Sequence, residues 1–383
     1  MLYSRSYTKR MMENRAGQRC GRLNAQKSCR SRACLHSILP LLIAALAVLS
    51  PARPQAQLLD LKPSGLTEIE VALPTTDTLT LPGVLTLPGD GGDKVLRSRP
   101  PIVVLGQGSG VQDRDGTVGP NKFLQQLAWG LAERGVASLR YDRRPLVAPQ
   151  LFLAHADLDH EVVLDAVSAL EYAQTLPQVD GSAVFFAGHS LAAELGPDVV
   201  ARRLAEAPKS VRGLVLLSGV ARPIDQVIQQ QIETLGARQG ATPQQIAAAE
   251  APWKDVWEQA RDPKVAATTR IGPGEGLPAR YWRDWLSRDP LKTLHTLHLP
   301  VLVTRGSKDV NAIHEDFVLL RAAATAPGSD AREFPGLNHL YMPIAGEADG
   351  RDVMQPGTVS AGFLDFLAGW ILKTSQDRTL AAH

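Results

Sequence analysis

The sequence predicts an α/β protein with a mostly parallel central sheet and helices on both faces. Three observations lead to this fold class. Short apolar runs alternate with helical patterns along most of the chain. These runs are continuously apolar rather than alternating, which is typical of strands buried on both faces. Each is followed by a helical pattern, as the crossover connections of a parallel sheet require.

The beginning of the chain, residues 1–56, differs from the rest in charge. It holds ten basic residues and one acidic residue, with an apolar run over residues 38–49 followed by small or polar residues. This order is typical of a secretory signal peptide, and the run is shorter than a stable bilayer-spanning helix requires. We therefore expect a periplasmic or secreted protein without a stable membrane anchor after signal removal. The mature domain is expected over residues 57–383.

Removal of residues 1–56 would change both charge and cysteine content. The whole chain has 41 basic and 39 acidic residues, whereas the remainder carries a net charge near −7. This charge argues against nucleic acid as a partner, because a duplex-binding domain needs a basic face. The cysteines Cys20, Cys29 and Cys34 all lie in the removed segment, so we expect no disulfide, thiol nucleophile or cysteine metal site in the mature protein. We expect no metal and no organic cofactor.

The elements of the sheet follow one another in a regular order. Two β-rich runs, over residues 68–73 and 79–87, predict an N-terminal antiparallel hairpin. The apolar runs that follow predict strands over residues 102–105, 137–140, 183–187 and 213–217. The helical patterns between them predict helices over residues 121–134, 158–175 and 191–205, the last with a break at Gly196-Pro197.

Between residues 221 and 290 the alternation of strands and helices stops. This stretch is helical in pattern and rich in Gln and Ala. The alternation then resumes with a strand over residues 301–304, a helix over 314–324, a short strand at 333–334 and a C-terminal helix over 359–374. An insertion at this place is most simply a helical cap over the sheet domain.

A serine occurs where a predicted strand turns directly into a helix. Residues 183–193 read AVFFAGHSLAA, with Ser190 at the turn and the small residues Gly188 and Ala192 beside it. This is the sequence context of a nucleophile elbow. Backbone N–H groups at the start of the helix could stabilise an oxyanion there. Residues 188–192 alone would fit Ser190 equally well as a helix N-cap.

Two further residues favour the catalytic interpretation of Ser190. A serine hydroxyl needs a base to take its proton, and that base needs a carboxylate to orient it. Asp309 follows the predicted strand over residues 301–304, and His339 lies on a loop after the last predicted strand. The chain order of serine, acid and histidine is the one described for nucleophile-elbow hydrolases. We therefore expect Ser190, Asp309 and His339 to form a catalytic triad.

A glycine-rich loop over residues 106–110 follows the first parallel strand. We expect an oxyanion hole formed by a loop N–H, that of Ser109 or its neighbour, together with the Leu191 N–H. A phosphate-binding loop is disfavoured, because no Gly-Lys-Ser/Thr follows. The candidate substrate contacts are Gln107 in this loop and Trp282 and Trp285 in the insertion. The two tryptophans are three residues apart and share a helix face, which either packs on the sheet domain or covers the pocket.

The chain resembles a branch of bacterial α/β-hydrolase carboxylesterases related to serine aminopeptidases and dienelactone hydrolases. The resemblance rests on residues 108–116 (GSGVQDRDG), 119–122 (GPNK), 139–144 (LRYDRR) and 281–284 (YWRD). It implies the α/β-hydrolase fold and the triad roles of the three residues named above. Two departures are Gln107-Gly108 where the family has His-Gly, and Ala192-Ala193 where it has Gly-Gly. The second would crowd the elbow.

The polar residues of the resembling segments are expected to fix loops. They are Asp113, Arg114, Asp115, Arg140 and Asp142. Together these observations predict a serine carboxylesterase that hydrolyses short-chain esters of small molecules through an acyl-enzyme. A peptidase or aminopeptidase of the same fold, and a non-catalytic binding protein that retains the fold, remain alternatives. The sequence leaves the oligomeric state open.

Overall fold

The architecture was determined from a computed structural model, which describes residues 62–89 and 99–377. The expected signal peptide and its cleavage site lie outside these ranges. Within them, no helix combines the length and the apolar character needed to cross a membrane.

An eight-stranded sheet forms the centre of the described chain. Its order is β1-β2-β6-β3-β7-β8-β11-β12. The first two strands form an antiparallel hairpin, β2 pairs antiparallel with β6, and all later neighbours are parallel. The strands are β1 (Thr67–Pro74), β2 (Thr80–Leu87), β3 (Ile102–Gly106), β4 (Thr117–Val118), β5 (Asn121–Lys122), β6 (Ala137–Tyr141), β7 (Val184–His189), β8 (Gly213–Leu217), β9 (Arg270–Ile271), β10 (Leu277–Pro278), β11 (Val301–Gly306) and β12 (Asp330–Phe334).

Helices cover both faces of this sheet. They are α1 (Phe123–Ala132), α2 (Arg144–Val147), α3 (Pro149–His155), α4 (Leu164–Thr175), α5 (Leu191–Glu194), α6 (Gly196–Glu206), α7 (Ile224–Arg238), α8 (Pro243–Arg261), α9 (Ala279–Ser287), α10 (Pro290–His295), α11 (His314–Ala323) and α12 (Ala361–Gln376). A π-helical turn over Asp159–Val163 precedes α4.

Strands β3 and β8 carry no polar side chain, because both of their faces are covered. In β3, Ile102 and Val104 belong to one hydrophobic cluster, and Val103 and Leu105 belong to the other. Helices α1 and α12 supply the second cluster, and α4, α6 and the insertion contribute to the first. The side-chain alternation of a strand sends successive residues to opposite faces. A continuous apolar run is therefore what this architecture requires.

The predicted fold class, the N-terminal hairpin and the order of strands and helices are confirmed. The break in the helix after Ser190 is also observed, because α5 ends at Glu194 and α6 begins at Gly196. Helices α2 and α3 were not predicted, and both have a proline, Pro145 and Pro149, within their first two positions. Pro at the first positions of a helix is compatible with the helix, because the missing N–H has no intrahelical partner there.

The insertion over residues 221–290 lies between β8 and β11 and consists mainly of α7, α8 and α9, with the start of α10. Its aromatic side chains form a buried cluster, in which Trp253 and Trp257 lie 5.7 Å apart and the Trp282 ring contacts both edge-on. The insertion contacts the loop that carries Asp309, since the Gln231 amide donates to the Asn311 carbonyl oxygen at 2.9 Å.

Candidate active site

Ser190 has the strained backbone conformation of a nucleophile elbow. Its φ is 54° and its ψ is −115°, in a region that residues with a side chain rarely adopt. Its N–H donates to the Leu217 carbonyl oxygen of the neighbouring strand at 2.9 Å. A β-carbon at Gly188 would lie 2.0 Å from the Ala192 carbonyl oxygen, so only glycine fits before this turn. The surrounding structure therefore holds Ser190 between β7 and α5.

The Ala192-Ala193 pair, a departure from the family pattern, fits the elbow without displacing Ser190. A β-carbon at Gly106 would lie 2.8 Å from that of Ala192. A β-carbon at Gly219 would lie 2.9 Å from that of Ala193. The two alanine methyl groups thus occupy space that the facing glycines leave free, and the expected crowding does not occur.

Asp309 and His339 form a hydrogen-bonded pair at the ends of β11 and β12. The His339 Nδ1 lies 2.8 Å from the Asp309 Oδ2. The other carboxylate oxygen accepts the N–H groups of Asn311 at 2.8 Å and Ala312 at 3.1 Å. Burial alone would raise the pKa of Asp309, but the His339 ring and these two N–H groups outweigh it and lower the pKa. The carboxylate is thus held ionised and can orient the imidazole.

The loop that carries His339 is fixed by its neighbours. The Asn338 carboxamide oxygen accepts the N–H groups of Leu340 at 3.0 Å and Met342 at 3.1 Å. Tyr341 has a φ of 56°, and its buried hydroxyl donates to the Thr304 carbonyl oxygen at 2.9 Å. Sequence analysis assigned no role to Asn338 or Tyr341. Their position beside the candidate base is a signal that could have identified them.

His189, the residue before Ser190, contacts His339. The His189 and His339 rings lie 4.6 Å apart, and the His189 Nε2 is 3.0 Å from the His339 carbonyl oxygen. Burial, with a contribution from His339, lowers the pKa of His189 to about 3. His189 is therefore neutral at physiological pH, and its Nε2–H donates to the backbone of the candidate base. The Ser190 hydroxyl has no hydrogen-bond partner within residues 62–89 and 99–377, a common state of catalytic serines without bound substrate.

Two unpaired backbone donors flank Ser190. The glycine-rich loop passes so close that a β-carbon at Gly108 would lie 3.3 Å from the Ser190 Cβ. Within the described ranges, the Ser109 N–H has no hydrogen-bond acceptor. The Leu191 N–H begins α5 and has no acceptor one turn earlier. Both expected oxyanion donors are therefore free to bind a substrate oxygen.

Gln107, a candidate substrate contact, has its amide group engaged by the protein. The side chain is 3% exposed, and its amide nitrogen donates to the Tyr141 carbonyl oxygen. This hydrogen bond joins β3 to β6 near their carboxyl ends. The amide nitrogen therefore supports the loop and is not available to a substrate in this structure.

Trp282 and Trp285 are both buried. The Trp282 indole donates to the Ile271 carbonyl oxygen at 3.2 Å and lies within the tryptophan cluster of the insertion. The Trp285 indole donates to the Glu194 carboxyl at 2.8 Å, one helical turn after Ser190. Of the two interpretations left open by the sequence, the structure favours packing for Trp282. Trp285 instead contacts α5, the helix that begins directly after Ser190.

Glu194 is a buried carboxyl group that sequence analysis missed. Burial raises its pKa to about 8, against the lowering effect of the Trp285 hydrogen bond. Asp316 and Asp198 also raise the pKa, and Arg288 lowers it. The group is therefore largely protonated at neutral pH. Glu194 therefore adds little negative charge to α5, the helix that begins directly after Ser190.

We expect Glu194→Gln to stabilise the protein increasingly as the pH rises. A carboxyl whose pKa is raised by folding binds its proton more tightly in the folded state, so the wild type loses stability between about pH 4.5 and pH 8. The glutamine variant does not titrate but still accepts the Trp285 hydrogen bond. The melting-temperature difference between the two proteins should grow from pH 5 to pH 8 and then level off. A difference independent of pH would contradict the assignment.

The polar loop residues form the networks expected from the sequence. The Arg114 side chain pairs with Asp142 at 3.1 Å, and Arg140 pairs with Asp115 at 2.6 Å. Asp113 accepts the N–H groups of Asp115 and Thr117. These contacts fix the segment that follows the glycine-rich loop.

Comparison with known proteins identified one similar sequence and several similar structures. No family model matches the chain. The chain is 30% identical over 297 residues to esterase EstD from Thermotoga maritima. The alignment covers 76% of this chain but 66% of that protein, slightly less than two thirds of its length.

Two solved structures share the fold. The hyperthermophilic esterase from the archaeon Pyrobaculum calidifontis superimposes with a TM-score of 0.50 and 17% identity, over 81% of this chain and 86% of that one. DcsB, solved in complex with its substrate analogue, has a TM-score of 0.52 and 15% identity, over 80% of this chain and 100% of that one. At these identities the similarity establishes the fold alone.

Proposed function

We propose that the chain is a serine carboxylesterase of the α/β-hydrolase family, because it is similar in sequence to esterase EstD and shares its fold with the Pyrobaculum calidifontis esterase. The observation that carries the proposal is the hydrogen-bonded Asp309–His339 pair, in which His339 contacts His189, the residue before Ser190 in the nucleophile elbow. A non-catalytic binding protein would not need the strained serine, the buried carboxylate and two unpaired N–H groups at one place.

In the proposed reaction, the Ser190 hydroxyl oxygen attacks the ester carbonyl carbon. His339 accepts the serine proton on Nε2, while its Nδ1–H donates to Asp309. The N–H groups of Ser109 and Leu191 bind the oxyanion of the tetrahedral intermediate. Collapse of the intermediate expels the alcohol, which takes the proton from His339. Water, deprotonated by the same base, then attacks the acyl-enzyme; the bond to the Ser190 oxygen breaks, that oxygen takes the proton back from His339, and the carboxylic acid is released.

We propose a preference for short acyl groups. Among residues 221–290, no large hydrophobic side chain is exposed, so the insertion offers no apolar face to an oil surface. We expect acetyl and butyryl p-nitrophenyl esters to be hydrolysed with higher kcat/KM than octanoyl esters. Faster hydrolysis of emulsified long-chain triglyceride would contradict this preference. Faster cleavage of aminoacyl p-nitroanilides than of esters would instead indicate a peptidase.

Alanine variants of the two tryptophans test how the insertion relates to acyl preference. Trp282→Ala should lower stability by roughly 3–5 kcal/mol, because a buried aromatic ring is lost from the cluster, and should leave the acyl-chain profile unchanged. Trp285→Ala serves as the matched comparison, since its indole reaches α5 rather than the interior of the insertion. Melting temperatures and acyl-chain profiles of both variants decide the question. A profile shifted toward octanoyl esters in Trp282→Ala would show that this ring lines the pocket.

We further propose that the protein is exported and cleaved near residue 56. The support is the basic, apolar and small-residue order of residues 1–56. N-terminal sequencing of the protein from its native host should give a first residue between about positions 53 and 58, in a fraction outside the cytoplasm. A first residue of Met1 or Met11 would contradict export by this signal.

A further inference from the structure

Arg143 is a buried side chain that contacts the glycine-rich loop beside Ser190. It is 2% exposed. One guanidinium nitrogen donates to the carbonyl oxygen of Gly108 and to that of Gly110, the latter at 3.0 Å. An arginine can hold two carbonyl groups at once because its donors lie in a rigid plane. The backbone of the loop is thus fixed from one side.

The contact with Gly108 also fixes the direction of the proposed oxyanion donor. The Gly108 carbonyl and the Ser109 N–H belong to the same peptide unit, and a trans peptide is planar with these two groups pointing in opposite directions. No cis peptide occurs in the described chain. When Arg143 holds the Gly108 oxygen, the Ser109 N–H must therefore point away from Arg143. Gly108 itself lies against Ser190.

The Nη2 nitrogen of Arg143 binds Glu161. It donates to the Glu161 carboxylate at 2.8 Å and to the Glu161 carbonyl oxygen at 3.2 Å. Both side chains are almost completely buried. Glu161 lies in the π-helical turn before α4, and such turns are frequent at functional sites. The ion pair is shielded from solvent, so it holds Arg143 in one orientation.

Glu161 connects this pair to the helical insertion. Its second carboxylate oxygen accepts the hydroxyl of Tyr281 at 2.6 Å. Tyr281 is buried in α9, and its ring contacts those of Trp282 and Trp285. Burial, together with the charge of Glu161, raises the pKa of Tyr281 well above its ordinary value, so the phenol remains a donor. Hydrogen bonds thus link Tyr281 to Glu161, Glu161 to Arg143, and Arg143 to Gly108.

We propose that Arg143 is a positioning residue that aligns the oxyanion N–H of Ser109. Through Glu161 and Tyr281, it also couples this alignment to the packing of α9 in the insertion. The inference rests on the proposed esterase function. It accounts for a buried charge network that the triad itself does not need. It also explains how an insertion distant in sequence could influence the rate of acylation.

The neighbouring Arg144 offers a matched control. It is 1% exposed and pairs with Asp165 at 2.5 Å and with Asp77, but it makes no contact with the glycine-rich loop. Replacement by lysine keeps the charge at either position and removes the planar set of donors. Loss of a buried arginine network should cost stability in both variants. Only Arg143→Lys should misalign the Ser109 N–H.

The test compares wild type, Arg143→Lys, Arg144→Lys and Tyr281→Phe on a butyryl ester, at a temperature well below all melting points. We expect Arg143→Lys to lower kcat about 10²- to 10³-fold with KM changed less than threefold, as for the loss of one oxyanion donor. Its affinity for an alkyl trifluoromethyl ketone, which forms a tetrahedral adduct, should fall in parallel with kcat/KM. Arg144→Lys should retain kcat within about threefold of the wild type.

Tyr281→Phe keeps the ring packing and removes only the hydroxyl, so it tests the coupling even where Arg143→Lys fails to fold. We expect a smaller decrease in kcat and in ketone affinity, about 3- to 10-fold, with the ring cluster intact. Equal kcat values for Arg143→Lys and Arg144→Lys, or an unchanged kcat in Tyr281→Phe, would overturn the proposal. A wild type inactive on all esters would instead overturn the proposed function.

Discussion

Replacing Ser190 by alanine should lower kcat for ester hydrolysis by roughly six orders of magnitude, the loss observed when a triad nucleophile is removed. The attacking oxygen disappears, and His339 has no serine proton to accept. Residual turnover would come from water activated near the oxyanion donors. The fold should be unchanged, because alanine keeps the β-carbon and the backbone contacts of Ser190.

Ser190→Gly provides the control for the strained backbone. Glycine adopts a φ of 54° without steric cost, so this variant should be as inactive as Ser190→Ala but more stable by about 1 kcal/mol. Ester turnover under burst and steady-state conditions, with melting temperatures on the same samples, measures both effects. Turnover within tenfold of wild type in either variant would show that another residue is the nucleophile.

Asp309→Asn should lower kcat by roughly four orders of magnitude while leaving the fold intact. The asparagine oxygen can still accept the N–H groups of Asn311 and Ala312. Its amide nitrogen would then face His339 Nδ1 and donate to it, which stabilises the tautomer that carries the proton on Nε2. In that tautomer, His339 cannot accept a proton from Ser190.

The neighbouring carboxylate Asp316 is the control for a change of buried charge. It is fully buried and pairs with Arg222 at 2.9 Å, on the side of α11 that faces the start of the insertion. Asp316→Asn should reduce stability with a much smaller effect on kcat. If Asp309→Asn and Asp316→Asn lowered kcat equally, the loss would reflect destabilisation and not the tautomer of His339.

The fold and the candidate triad could be predicted because their signals are local. The continuous apolar strands, the small residues around Ser190, and the positions of Asp309 and His339 after strands can each be seen within a few residues. The structure adds the hydrogen bond between Asp309 and His339 at 2.8 Å. It also shows that Gly106 and Gly219 accommodate Ala192 and Ala193.

The network around Arg143 could not be predicted in the same way. Glu161 and Tyr281 lie 18 and 138 positions away in the chain, and nothing in either segment indicates a common partner. Their pairing depends on the π-helical turn before α4 and on the packing of α9. The same holds for Glu194, whose protonation follows from burial beneath Trp285, a contact between two distant segments.

Labelling with a fluorophosphonate tests the central claim most directly, because only an activated serine reacts with this probe. The purified protein should be modified once, and peptide mapping by mass spectrometry should place the adduct on Ser190. Ser190→Ala should not be labelled, and Asp309→Asn should be labelled far more slowly than the wild type. Absence of labelling in the folded wild type, or an adduct on another serine, would contradict the assignment of Ser190, His339 and Asp309 as the catalytic triad.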